Sequence, residues 1–234
     1  MMFNYNVGRT MKTKLVAIYF TLFFTLFGSN RALTEPIKLA DNVELSFTGE
    51  YMSRYIYRGS DQNRSRSTAS LSANILLPKG LYVGTWIAEA DYAASSQEVD
   101  IYFGINQNYK DFNFDISYLE ARYPGKKSAN IAEYNFKIKY QPKDKPYNFG
   151  YYYALEDTSE ALGSNFKEYS VGYNFDSFSL AASYGDWDAI NKIKTITWSK
   201  NFNYFDLKIS HIDTDNVGAT ADQKFNTIII SKTF

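Results

Sequence analysis

The sequence predicts an all-β fold, a transmembrane antiparallel up-and-down β-barrel of about 12 strands. Three observations carry that expectation. The first is alternation. Between Glu98 and Gly125, Val99, Ile101, Phe103 and Ile105 share one face, with Asp100, Tyr102, Gly104, Asn106 and Asn108 on the other. Phe112, Phe114, Ile116 and Tyr118 then oppose Asn113, Asp115 and Ser117 across a tight Tyr109-Lys110-Asp111 connection, which makes the stretch a hairpin. Almost the whole chain consists of such units, with no segment left over to cover the apolar face, so that face looks into lipid. The second observation is that the connections alternate between short and long. The third is the ending KFNTIIISKTF, where Ile228 and Ile230 run in phase with the terminal Phe234.

Composition narrows the classes. Aromatic residues make up 18% of the 234, led by 21 Tyr and 18 Phe, as aromatic girdles require. Cysteine is absent, which removes disulfide, thiolate and zinc-thiolate chemistry. The single long apolar run is Leu15 to Gly28, behind Met11, Lys12, Thr13 and Lys14. A basic start and an apolar core too short for a spanning helix read as a secretory signal peptide within residues 1–32, with Met11 as the start; a retained anchor is the alternative. Residues 33–42 form a short lead-in and 43–234 the barrel. Residues 1–32 hold Arg9, Lys12, Lys14 and Arg31 and no acid, so the remainder is slightly acidic. That balance, without a basic run, argues against a nucleic-acid partner.

The expected strands, each near the 9–11 residues a tilted strand needs to cross a bilayer, lie at 43–58, 64–76, 80–91, 97–108, 111–122, 131–141, 146–156, 165–175, 177–186, 191–200, 204–214 and 223–234. Terse turns follow the even segments: Pro78-Lys79, Tyr109-Lys110, Gln141 to Lys145, Asp176 and Phe202-Asn203. Longer, more polar connections follow the odd ones: Gly59 to Asn63, Tyr92 to Ser96, Tyr123 to Asn130, Asp157 to Ser164, Asp186 to Ile190 and Asn216 to Asp222. Short periplasmic turns and longer outer loops distinguish a barrel from a soluble sandwich. Pro78, Pro124, Pro142 and Pro146 all fall in or beside connections, where a missing N–H costs no ladder bond. No outer loop is expected to be long enough to fold inward, so the lumen is open or closed by strand side chains alone.

These segments resemble the TorF-type porins, a proteobacterial outer-membrane family of poorly defined function. The resemblance rests on SRYIYRGSDQ (Ser53 to Gln62), GLYVGTW (Gly80 to Trp86), EVDIYFG (Glu98 to Gly104), RYPG (Arg122 to Gly125) and the ending from Ile212 to Phe234. It departs from that family in lacking a proline between Asn63 and Ser67. The resemblance implies an outer-membrane barrel and a channel, and brings no catalytic residue, cofactor or substrate.

If the apolar parity meets lipid, the other parity lines the lumen. It collects Glu44, Glu50, Arg54, Arg58, Arg64, Arg66, Asp100, Asp115, Glu133, Lys137, Lys139, Glu156, Glu168, Asp206 and Lys208, a near balance of signs. Arg54, Arg58, Arg64 and Arg66 flank the first outer loop at one parity. Either they attract anionic solutes, or Glu50, Asp100 and neighbouring acids neutralise them as a structural ladder. Segments three and ten are ambiguous in phase, so Trp86 and Trp198 could face either way.

No enzyme is expected. The only histidine, His211, adjoins Ser210 and so points to the opposite face, which precludes a Ser/His pair on that strand. Asp213, Asp215 and Asp222 read as solvated loop acids rather than a calcium site, so no metal or cofactor is expected. The expected partners are outer-membrane lipid and lipopolysaccharide, and the barrel-assembly machinery through Phe234. The leading function is passive diffusion of small hydrophilic solutes; the alternative is a structural or adhesive barrel with a lumen plugged by side chains.

Overall fold

The computed structural model describes residues 35–91, 95–157, 165–217 and 221–234. The expected signal peptide and Met11 lie outside the described residues. In chain order the strands are β1 (Ile37–Ala40), β2 (Val43–Met52), β3 (Ile56–Tyr57), β4 (Ser60–Asp61), β5 (Thr68–Leu76), β6 (Leu81–Glu89), β7 (Gln97–Tyr109), β8 (Phe112–Arg122), β9 (Ile131–Tyr140), β10 (Tyr147–Glu156), β11 (Phe166–Asn174), β12 (Ser179–Trp187), β13 (Asn191–Phe202), β14 (Phe205–Asn216) and β15 (Gln223–Thr233).

From β5 to β15 each strand pairs antiparallel with the next, and β2 pairs with both β5 and β15. β2 together with β5 to β15 thus forms a closed barrel of the outer-membrane type, shut along Ile229–Thr233 of β15 and Thr48–Met52 of β2. The lead-in carries a strand of its own: β1 pairs with the start of β2, on the edge that β15 leaves free below Phe234.

Side chains sort as the alternation predicts. Phe103, Ile105, Ile116, Phe136, Phe149, Val171 and Ile196 are exposed on the outer wall, a surface that is costly in water and stable in lipid. At the inner end, aromatic rings pack into a girdle: Phe112 with Tyr140, Tyr173 with Phe175, and Phe202 with Phe205, at centroid separations of 4.9, 4.7 and 4.8 Å. Register settles the two ambiguous strands. Trp86 pairs with Asp100 and faces the lumen, while Trp198 pairs with Leu180 and Ile209 on the lipid side and stacks on Phe178.

The inner turns are short, as expected, with Lys110 and Asp144 at positive φ to reverse the chain. One outer connection is shorter than expected. β12 runs to Trp187 and β13 starts at Asn191, with Ala189 at φ 59 making the turn.

The first outer connection is the main correction. The expected strands 43–58 and 64–76 end and begin too near each other: β2 stops at Met52 and β5 starts at Thr68. Arg58, Gly59, Arg64 and Ser65 all have positive φ, a conformation that no strand accepts. The segment from Ser53 to Ser67 instead folds into the barrel, contrary to the expectation that no outer loop could. Gly59 and Asn63 are buried, and the small β3–β4 ladder gives the segment its own turn. Small wall residues facing the lumen at the outer end, Ala88, Ala121 and Ala154, are all nearly inaccessible and make the room. Phe166, Trp187 and Ile193 also point inward there and form an apolar cluster with Ala154, against which Tyr57 packs. The barrel therefore has a core inside its outer third, between segment and wall.

Candidate functional site: the lumen and its inward segment

The segment is held around the whole circumference. Near its start, the Ser53 N–H donates to the Ile228 carbonyl at 2.8 Å, and the Ile228 N–H donates to Ser53 Oγ at 2.8 Å. The Tyr55 hydroxyl donates to Glu98 on β7 at 3.1 Å, and its ring lies 5.5 Å from Trp86. The Tyr57 hydroxyl donates to Glu133 on β9 at 3.0 Å, and its ring meets Trp187 edge-on. Burial pushes both phenols well above their ordinary range, so both remain donors at neutral pH.

Arg58 is the anchor. Its guanidinium forks onto both carboxylate oxygens of Glu133, at 2.6 and 3.0 Å, and donates to the Tyr152 hydroxyl at 2.9 Å. The Arg58 and Glu133 side chains are only 4% and 2% exposed. Glu156, the cross-strand partner of Glu133, comes within 3.8 Å of the same guanidinium. Phe166 and Trp187 offer ring faces at 4.5 and 5.5 Å. A buried charge requires a partner, and here geometry and hydrogen bonds supply one. Beyond Arg58, Asn191 Nδ2 donates to the Arg58 carbonyl at 3.0 Å. Gly59, at φ +76, lies so close to β14 that a Cβ would meet Thr214 Cγ2 at 2.5 Å.

The four arginines are thus not one cluster. Arg58 is buried in the lumen. Arg64 and Arg66 stand at the mouth and share Asp91, at 3.4 and 2.7 Å. Arg54 forms no ion pair among the described residues. They sit in the inward segment rather than on two flanking strands, so strand parity never applied to them.

The other expected lumen residues face inward but fall into different neighbourhoods. Glu50 accepts from Ser70 on β5 at 3.0 Å. Asp115 accepts from the Tyr82 hydroxyl and from Asn106 Nδ2. Tyr82 reaches it because Gly104, its cross-strand partner, leaves the space open. Lys137 sits over the Tyr152 ring at 5.2 Å. The lumen holds a cavity deeper in the barrel and a second one lined in part by the segment. One, about 340 Å³, is lined by Tyr82, Asn106, Asp115, Lys137, Lys139 and Glu168 among others. The other, about 370 Å³, is lined by Thr48, Glu50, Tyr55, Tyr57, Ser72, Trp86, Asp100 and Tyr102. With Arg54, Arg64 and Arg66 off the wall, the upper and middle lumen carries Glu50, Glu98, Asp100, Asp115, Glu133, Glu156 and Glu168 against Arg58, Lys137 and Lys139. The near balance expected from the sequence becomes an excess of acid.

Sequence reasoning missed Glu98, Tyr55, Tyr57, Tyr152 and Trp187. A signal was present, because Phe166, Trp187 and Ile193 are large apolar residues on the lumen parity at the outer ends of three successive strands, where something must cover them. Ser210 and His211 lie on opposite faces: Ser210 Oγ is 2.9 Å from Thr197 Oγ1 in the lumen, and His211 Nδ1 is 2.9 Å from Asn226 Oδ1 on the exposed side. Asp213 and Asp215 pair with Lys224 and Lys194 on the outer wall.

Among solved structures, the fold is similar to the KdgM porin described in complex with disordered oligogalacturonate, with TM-score 0.56 and 8% identity over 81% of this chain and 98% of that one. Weaker similarity is found to Pseudomonas aeruginosa OpdQ (TM-score 0.48, 11% identity, 84% of this chain and 68% of that one). P. aeruginosa OpdO gives TM-score 0.48 and 9% identity over 85% of this chain and 67% of that one. At such identities the likeness that counts, to the KdgM porin, is one of fold. No curated protein matches the sequence. Residues 34–234 match the family described as a bacterial protein of unknown function (Gcw_chp), and the chain belongs to that family.

Proposed function

We propose that the protein is an outer-membrane channel for passive diffusion of small hydrophilic solutes, with the inward segment setting its bore. The observation that carries this is a lipid-facing wall around a polar interior that keeps cavities of about 340 and 370 Å³, the second lined in part by the segment. A barrel of 12 strands lies between small barrels filled by side chains and wide water channels. The TorF-type resemblance of the first turn and of the RYPG turn supports the same reading. An N-terminal signal peptide ending before the barrel, contacts with lipid and lipopolysaccharide, and assembly through Phe234 belong to it. Oligogalacturonate, named for the KdgM porin, is not carried over, because an excess of lumen carboxylates repels a polyanion.

The second reading, a structural barrel with a closed lumen, is favoured by one observation: Arg58 is locked on Glu133, Tyr152 and Asn191 at the far wall. Planar-bilayer recording of refolded protein separates the two. Reproducible conductance steps support the channel. Silence from correctly folded wild type, with steps only after Arg58→Ala, supports the closed barrel.

A further inference from the structure

The cavity of about 370 Å³ has a composition that passive diffusion alone does not explain. Its walls carry two carboxylates, Glu50 and Asp100, and four aromatic side chains, with no basic side chain among the lining residues. Thr48, Ser72, Trp86 and Asp100 are successive cross-strand partners, so they form one row across β2, β5, β6 and β7. Register alone therefore sets the Trp86 indole beside the Asp100 carboxylate. Tyr55, brought in by the inward segment, is tilted over that indole. Asp100 Oδ1 is buried and accepts no hydrogen bond among the described residues. The Asp100 carboxyl shares a hydrogen bond with Glu98, a second acid, rather than with a base. Acidic groups next to ring faces and away from the lumen bases on β9 suit a cation supplied from solution. Ring faces attract cations, and carboxylates in a narrow lumen concentrate them.

We infer that this cavity is a selectivity site for small organic cations, ammonium or guanidinium compounds, held between Asp100 and Glu50 with Trp86 and Tyr55 as aromatic walls. Its role in transport rests on the channel reading above; the binding itself does not.

The test uses the full barrel refolded in detergent, with choline as probe and 3,3-dimethyl-1-butanol as its neutral isostere, read by tryptophan fluorescence with Trp86→Phe as the signal control. Choline should bind at least ~10-fold more tightly than the isostere, and Asp100→Asn should weaken it by ~10-fold, equivalent to about 1.4 kcal/mol. Glu168→Gln, in the other cavity, should leave it unchanged. Should Asp100→Asn fail to fold, Glu50→Gln gives the same readout. In bilayers, a KCl gradient should give a cation-selective reversal potential that moves toward anions in Glu50→Gln and Asp100→Asn. Equal binding of choline and isostere, or unchanged choline affinity in a folded acid variant, overturns the site even in a conducting protein. Choline binding without conductance keeps the site and removes the channel reading.

Discussion

Glu133 and Glu156 stand directly opposite each other on β9 and β10, and the Arg58 guanidinium reaches both, at 2.6 and 3.8 Å. Like charges opposed across a strand pair repel. Arg58 turns that repulsion into an attachment point for a segment rooted on the far side of the barrel. The wall is therefore built incomplete, and the segment completes it.

Replacing Arg58 should accordingly cost more than a surface charge. Arg58→Met leaves two buried carboxylates facing each other, and stability in urea should fall by about 3–5 kcal/mol. Adding Glu133→Gln should recover a large part of the loss. Conductance should rise in the single variant, because the segment is released. A single variant as stable as wild type would show that the contact contributes nothing.

Gly59 tests the docking by shape rather than charge. Ala at φ +76 costs about 1 kcal/mol in backbone strain alone, and its Cβ would also press on Thr214 Cγ2. In Gly59→Ala, trypsin should cleave after Arg58, Arg64 or Arg66 faster than in wild type, while Thr214→Ser, which removes Cγ2, should restore part of the protection. Unaltered cleavage rates would mean that Gly59 does not touch β14 in solution.

Alkaline pH should release the segment. Tyr55 and Tyr57 lie outside the spanning strands, and burial raises both phenols above their ordinary value of 10.0. Their bonds to Glu98 and Glu133 thus contribute stability that is complete below about pH 10 and is lost as pH rises through the raised values. Unfolding measured between about pH 8 and pH 12 should show a steeper alkaline decline in wild type than in Tyr55→Phe/Tyr57→Phe. Parallel curves would refute the role of the two hydroxyls.

The C-terminus gives a prediction about biogenesis. Phe234 is nearly buried and exchanges both backbone bonds with Phe47, at 2.8 and 3.1 Å. Deleting Phe234 should slow insertion into the outer membrane, seen as unfolded precursor in pulse-chase, and lower the temperature at which heat-modified mobility appears. Normal insertion kinetics would retire the assembly role.

Legibility in the sequence followed periodicity. β7 and β8 could be read residue by residue because their lipid face carries Ile and Phe and their lumen face carries Asp, Asn and Ser. The inward segment could not. Arg54, Ile56 and Arg58 lie at the same spacing as the lumen residues of β2, so period two ran straight through a stretch that is not a strand. The pairing of Arg58 with Glu133 spans 75 residues of chain, a distance that no local pattern encodes. Trp86 and Trp198 show the same limit: both have mixed neighbours, and only the register with Asp100 and with Leu180 assigns their faces.

The seam between β2 and β15 orders events in time. Thr48 and Thr233, 185 positions apart, meet across it, so the barrel can shut only after every intervening hairpin has formed, and contacts of such separation form late. Ser53 is fastened to Ile228 on the last strand and Gly59 rests on Thr214 of the strand before it. The inward segment is made early and finds Glu98 and Glu133 on β7 and β9, but its contacts with β14 and β15 must wait for the final hairpin. The last contacts of the segment to form should therefore be those with β14 and β15, and the fastening of Ser53 to Ile228 also reports that the cylinder is complete.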